Sequence, residues 1–165
     1  MPTIAEPRDL FVNELKSMLY VEQKLADQVL PELASEVSNG EFKESIDHHL
    51  EETKQHVANL ERAFELLEEE PKPDKSHAID GLVAQHEKVV KNIDSDEVRD
   101  VFDAGAAAKT EHLEIAAYES MITTAESLGE TEIASLLEQN LEQEKHALEQ
   151  ARSVSEQLAK ATASV

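Results

Sequence analysis

Apolar residues recur along this chain at intervals of three and four, the spacing that lines one face of an α-helix. Leu15, Met18, Leu19, Leu25, Val29 and Leu33 form one such stripe, which predicts a long helix from about Arg8 to Ser38. At its start, either Thr3 and Glu6 form a capping box or Pro7 takes the first helical position. Pro31 predicts a kink or local break, because proline lacks the backbone N–H and its ring collides with the preceding turn. Asn39-Gly40 is the expected turn into a second helix, about Glu41 to Glu70, striped by Ile46, Leu50, Val57, Leu60, Phe64 and Leu67. Pro71 and Pro73 end it. The connector, about 71–94, holds a short amphipathic helix around Ala78 to Ile93. Asp94 and Glu97 have capping-box spacing and open a third long helix, about 95–128, which Gly129 stops. The fourth runs over about 131–160 through Ile133, Leu137, Leu141, Leu148, Ala151 and Leu158, and the small polar tail beyond it is expected to fray.

Short turns join the first helix to the second and the third to the fourth, so each pair is expected to be antiparallel. More than twenty residues separate the second from the third. A connection that long permits a crossover, the ferritin-like form of a four-helix bundle, and a plain up-down bundle is the alternative. The expected fold class is therefore all-α, with a short extra helix in the crossover and a single domain over residues 1–165.

Certain acids fall on the wrong face of these helices. Glu22 lies three residues from both Leu19 and Leu25, inside the first stripe. Glu144 stands likewise among Leu137, Leu141, Leu148 and Ala151. Glu111 and Glu114 share a face with Ala104, Ala108, Ile115, Tyr118 and Ile122, and Glu52 falls with His49, His56 and Ala63. A bare carboxylate in a low-dielectric interior costs several kcal/mol, so a group of them must bind cations or take up protons. Carboxylates suit iron, manganese, calcium or magnesium, and a nearby imidazole favours a transition metal. Glu22 precedes Glu52 by 30 residues and Glu114 precedes Glu144 by the same 30, as a two-fold repeat of helix pairs requires; chance in a glutamate-rich chain is the alternative.

Composition narrows the function. The formal charge of −21 in 165 residues repels nucleic acid and anionic membranes, and argues against a DNA-binding mini-ferritin. Such a surface attracts cations, and it also matches a protein adapted to high salt. With no cysteine there is neither a disulfide framework nor a thiolate metal site. No stretch reads as a signal peptide or membrane span, so the expected location is the cytoplasm. There is no phosphate-binding glycine loop, nucleophile elbow or basic aromatic patch.

The segments DLFVNELKSMLYVEQKL (9–25), HLEETKQHVANLERAFELL (49–67), AAAKTEHLEIAAYESM (106–121) and LLEQNLEQEKHAL (136–148) resemble the ferritin-like superfamily. Within it they resemble the YciE/YciF-like family of stress-associated proteins. The resemblance implies a dinuclear iron or manganese site with Glu22 on the first helix and Glu52 and Glu144 at bridging positions. Glu111 and Glu114 match the Glu-x-x-Glu of rubrerythrin-like members. The usual Glu-x-x-His is absent: Gln55 and Ala147 stand where histidines are expected. His49 or His56, each one turn from Glu52, is the expected nitrogen donor. The resemblance also implies a homodimer, a role in stress response and, if the protein is an enzyme, a di-metal oxidase or peroxidase. A non-catalytic bundle with an empty or vestigial site, acting in stress protection or protein association, is the alternative.

His112, adjacent to Glu111, is expected to support a carboxylate from the core. His48, His77, His86 and His146 are expected on the surface, and Tyr20 and Tyr118 are expected to reach buried acids.

Overall fold

A computed structural model describes residues 3–163. Among these the chain is helical: α1 (Pro7–Lys24), a π-helical turn (Leu25–Val29), α2 (Leu30–Glu36), α3 (Gly40–Leu66), α4 (His77–Val90), α5 (Asp96–Leu128) and α6 (Thr131–Thr162). The final residues of the expected tail, 164–165, lie outside the described part.

Pro7 opens α1, and the Asp9 carboxylate accepts from the Ala5 and Glu6 N–H groups at 3.0 and 3.1 Å. The break expected at Pro31 takes the form of the π turn before it, where the Leu30 N–H donates to Leu25 O, five residues back. The wider turn absorbs one extra residue where the proline withholds a donor. Asn39 caps α3, its side chain accepting from Phe42 N. The cap of α5 corrects the sequence reading: Ser95, not Asp94, adopts the extended N-cap backbone and accepts from Val98 N. Gly129, at φ +80, ends α5 in the left-handed conformation that an L side chain resists.

Long-range contacts settle the topology. Arg8 bonds Glu69 at 2.8 Å, so the end of α3 lies beside the start of α1. At the opposite end, the buried Asp100 carboxylate accepts from Ser38 N, Ser38 Oγ and Asn39 N, so α5 starts beside the α2–α3 turn. Hence α3 and α5 run the same way, and residues 67–95 cross the length of the bundle. That is the ferritin-like crossover. It is pinned by Asp80, which accepts from Tyr20 at 3.0 Å and Lys24 at 2.5 Å.

Phe11, Leu15, Leu60, Phe64, Ile133 and Leu137 fill one end of the core and are fully buried. Leu25, Leu30, Phe42, Ile46 and Ala104 are buried towards the other. Between these apolar layers, at the middle of each long helix, the interior turns polar.

Candidate metal centre

Four of the five expected acids meet in that middle layer: Glu22, Glu111, Glu114 and Glu144 are buried, as are His49 and His56. The atoms fall into two groups that share one residue. Glu22, His56 and Glu144 offer ligand atoms within 4.8 Å of one another, and so do His49, Glu111 and Glu144. The Glu144 Oε1 lies 2.9 Å from His56 Nδ1, while its Oε2 lies 3.7 Å from His49 Nε2. His56 Nδ1 is 3.3 Å from Glu22 Oε1, and His49 Nε2 is 3.5 Å from Glu111 Oε1.

These approaches are close without being hydrogen bonds. His56 Nδ1, His49 Nε2, both oxygens of Glu114 and Glu144, and one oxygen each of Glu22 and Glu111 are buried without a hydrogen-bond partner. Buried polar atoms are nearly always partnered, so this many bare donor atoms facing one another is what a cation site requires. The second ring nitrogens complete the picture. His56 Nε2 lies 2.9 Å from Gln143 Oε1, which can only accept. This places a proton on Nε2 and directs Nδ1 towards Glu22 and Glu144. His49 Nδ1 faces Glu52 Oε2 at 3.5 Å, which likewise directs Nε2 inward.

Glu52 lies outside both groups. It is half-buried at the edge of the layer, its carboxylate between exposed His48 at 3.4 Å and His49. Thr53, fully buried and bonded to His49 O at 2.9 Å, holds the inward position of α3 between His49 and His56. The equal spacings of 30 residues are therefore reached by unequal paths. The first hairpin spends an extra residue in the π turn and three in its connection, the second only two in its connection.

Without a cation, the charges rearrange around His56. Burial opposes its protonation, but the Glu22 and Glu144 carboxylates outweigh it and push His56 up to about 10. Burial and the neighbouring Glu144 push Glu111 and Glu114 well above the usual carboxylate range. Burial also raises Glu22, against the pull of His56. Glu144 goes the other way: burial would raise it, but His56, Glu111 and His49 hold it below its ordinary value. Burial, then Glu22 and Glu144, raise Tyr118 well above a free phenol.

A chain of neutral groups closes the Glu22 side. The Tyr118 hydroxyl donates to Glu22 Oε1 in a short bond and accepts from Asn140 Nδ2 at 3.0 Å. Asn59 donates to Asn140 at 2.7 Å and accepts from Gln55 at 3.0 Å. The sequence reading missed Asn59, Asn140 and Gln143, although Asn59 and Asn140 interrupt apolar stripes just as Glu22 does.

Two histidine expectations need correction. His112 is exposed and paired with Arg152 at 2.9 Å, because one residue along a helix turns it about 100° away from Glu111. His86 is half-buried, 2.6 Å from the fully buried Asp103 and stacked on Phe102 at 5.4 Å. His146 is exposed, as expected.

The family model described as a domain of unknown function (DUF892) matches residues 6–164. Protein YciF of Escherichia coli K12 is 36% identical over 141 residues, covering 83% of this chain and 82% of its own. The crystal structure of the E. coli stress protein YciF superposes with a TM-score of 0.89 at 30% identity, over 95% of this chain and 99% of that one. YcfI of Rhodopseudomonas palustris gives a TM-score of 0.88 at 30% identity, over 92% and 96%. No described helix is long and apolar enough to cross a membrane.

Proposed function

The chain belongs to the family described as a domain of unknown function (DUF892), and from that premise we propose that it is a metal-binding helical bundle of the stress response, holding two ions of iron or manganese. Glu22, His56 and Glu144 hold one ion; His49, Glu111 and Glu144 hold the other, with Glu114 and Glu52 beside them. The observation that carries this reading is the shared Glu144, each of whose two oxygens faces a different histidine of α3. Mixed carboxylate and imidazole donors suit iron and manganese better than calcium or magnesium. The stress assignment rests on the likeness to the E. coli stress protein.

When bound, these metals supply the redox chemistry that reduces dioxygen or peroxide. The chain's own part is to orient both imidazoles through Gln143 and Glu52, to anchor Glu22 through Tyr118, and to keep bulk water from the layer. His56 must release its proton as an ion enters. The reading also includes a single ferritin-like domain, a homodimer, a cytoplasmic setting and a surface adapted to high salt, the last supported by the charge of −21.

Metal analysis after manganese or iron loading and removal of the excess tests it. The protein should retain about two ions per chain, and Glu144→Ala should lose both. Fewer than about one tightly held ion, unchanged by Glu144→Ala, refutes the reading.

One observation favours a second reading, a non-catalytic bundle for stress protection or protein association with an empty site. Held at about 10, His56 places a positive charge between Glu22 and Glu144 and so offsets part of their charge without a metal. The same loading experiment separates the two.

A further inference from the structure

Between the π turn, α4 and α5 lies a cavity of about 70 Å³. Leu25 and Val29 wall it on one side, Ile79 and Val83 on the second, Ala106 and Ala107 on the third. Exposed Gln85 and Lys109 stand at its outer end, and buried His49 and Glu111 close its inner end. There His49 Nε2 and Glu111 Oε2 are the atoms without hydrogen-bond partners. The remaining charged group in the wall, Asp103, faces His86 at 2.6 Å and Arg99 at 3.7 Å. The Glu22–His56 side is more enclosed. Both side chains are fully buried, and Tyr118 and Asn140 close over them.

Two features of the sequence make the space. The extra residue of the π turn widens the first helix here, and the alanines on α5 leave volume that larger side chains would fill. The result is an apolar passage from solvent to one half of the centre. It exceeds the ~10–15 Å³ that a single water requires, so a small molecule fits. Its apolar walls disfavour an ion, which would have to shed its hydration shell to enter.

We propose that this cavity is the access compartment for a small apolar ligand of dioxygen's size, which reaches the centre at the His49–Glu111 position and not at the Glu22–His56 position. The destination rests on the metal reading above; the compartment itself does not.

The experiment therefore has two arms. Crystals of the metal-free protein under xenon pressure should show xenon against Ala106, Ala107 and Val83, and Ala107→Phe should exclude it. In ferrous protein, nitric oxide should bind at least about tenfold more slowly in Ala107→Phe than in the parent, with iron stoichiometry unchanged. Val83→Trp plugs the cavity from the opposite wall and replaces Ala107→Phe if that variant fails to fold. Absence of xenon from the parent, or equal nitric oxide rates in parent and plugged protein, overturns the proposal. If the parent binds neither iron nor manganese, the metal reading fails separately, and xenon alone decides whether the compartment admits an apolar guest.

Discussion

The Glu22–His56 half of the middle layer and the His49–Glu111 half contain the same kinds of residue in different surroundings. In the first, both side chains are fully buried, Tyr118 donates to the carboxylate, and the imidazole is oriented by a neutral amide, Gln143. In the second, the imidazole is oriented by a carboxylate, Glu52, whose other oxygen meets an exposed histidine, and an apolar cavity reaches the ligand atoms. The first half is thus closed around a positively charged imidazole, while the second is reached by the cavity. A shared Glu144 does not make the two positions equivalent.

Removing either histidine from the metal-free protein is the strongest way to break this comparison. His56→Ala strips the buried positive charge from between Glu22 and Glu144 and should cost about 3–5 kcal/mol in urea unfolding. His49→Ala leaves Glu111 and Glu114, which burial already drives towards the neutral form, and should cost about 1–3 kcal/mol. Equal losses would show that the halves carry charge alike.

The dependence on pH sharpens the same contrast. His56 is raised from 6.5 to about 10, so the folded protein keeps a proton that the unfolded chain gives up. Its contribution to metal-free stability is complete below pH 6.5 and disappears as pH rises through about 10. Manganese must displace that proton, so its affinity for this half should rise with pH across the same window. Urea unfolding and manganese titration from pH 6 to 10 should show both trends, and His49→Ala should preserve the stability slope that His56→Ala removes.

The smallest effects come from the orienting groups. Tyr118→Phe and Glu52→Gln should each weaken manganese binding by about tenfold, the first at the closed half and the second at the open half. Loss at a single half in both variants would contradict the assignment of these two residues to separate positions.

Much of this was legible in the chain itself. The stripes gave the long helices because three-and-four spacing is local, and Glu22, Glu111, Glu114 and Glu144 stood out as acids that could not avoid the apolar face. The position of Glu52 was not legible. It stands between His49 and His56 in sequence, but the extra residue of the π turn and the unequal connections place Thr53 inward instead. Pro31 signalled a disturbance without saying that it would be an expansion of the helix. Asp100 and Asp103 were missed because their partners, Ser38 and Asn39 for one and His86 for the other, come from elements far along the chain. Asp103, two turns before Glu111, carried a weak signal that periodicity could have found.

The central claim is that Glu144 joins two inequivalent ion positions, and anomalous diffraction from manganese-loaded crystals tests it most directly. The account predicts two peaks, one among Glu22, His56 and Glu144 and one among His49, Glu111 and Glu144, with a carboxylate oxygen of Glu144 towards each. A single peak away from Glu144, or no peak inside the bundle at saturating manganese, would contradict it.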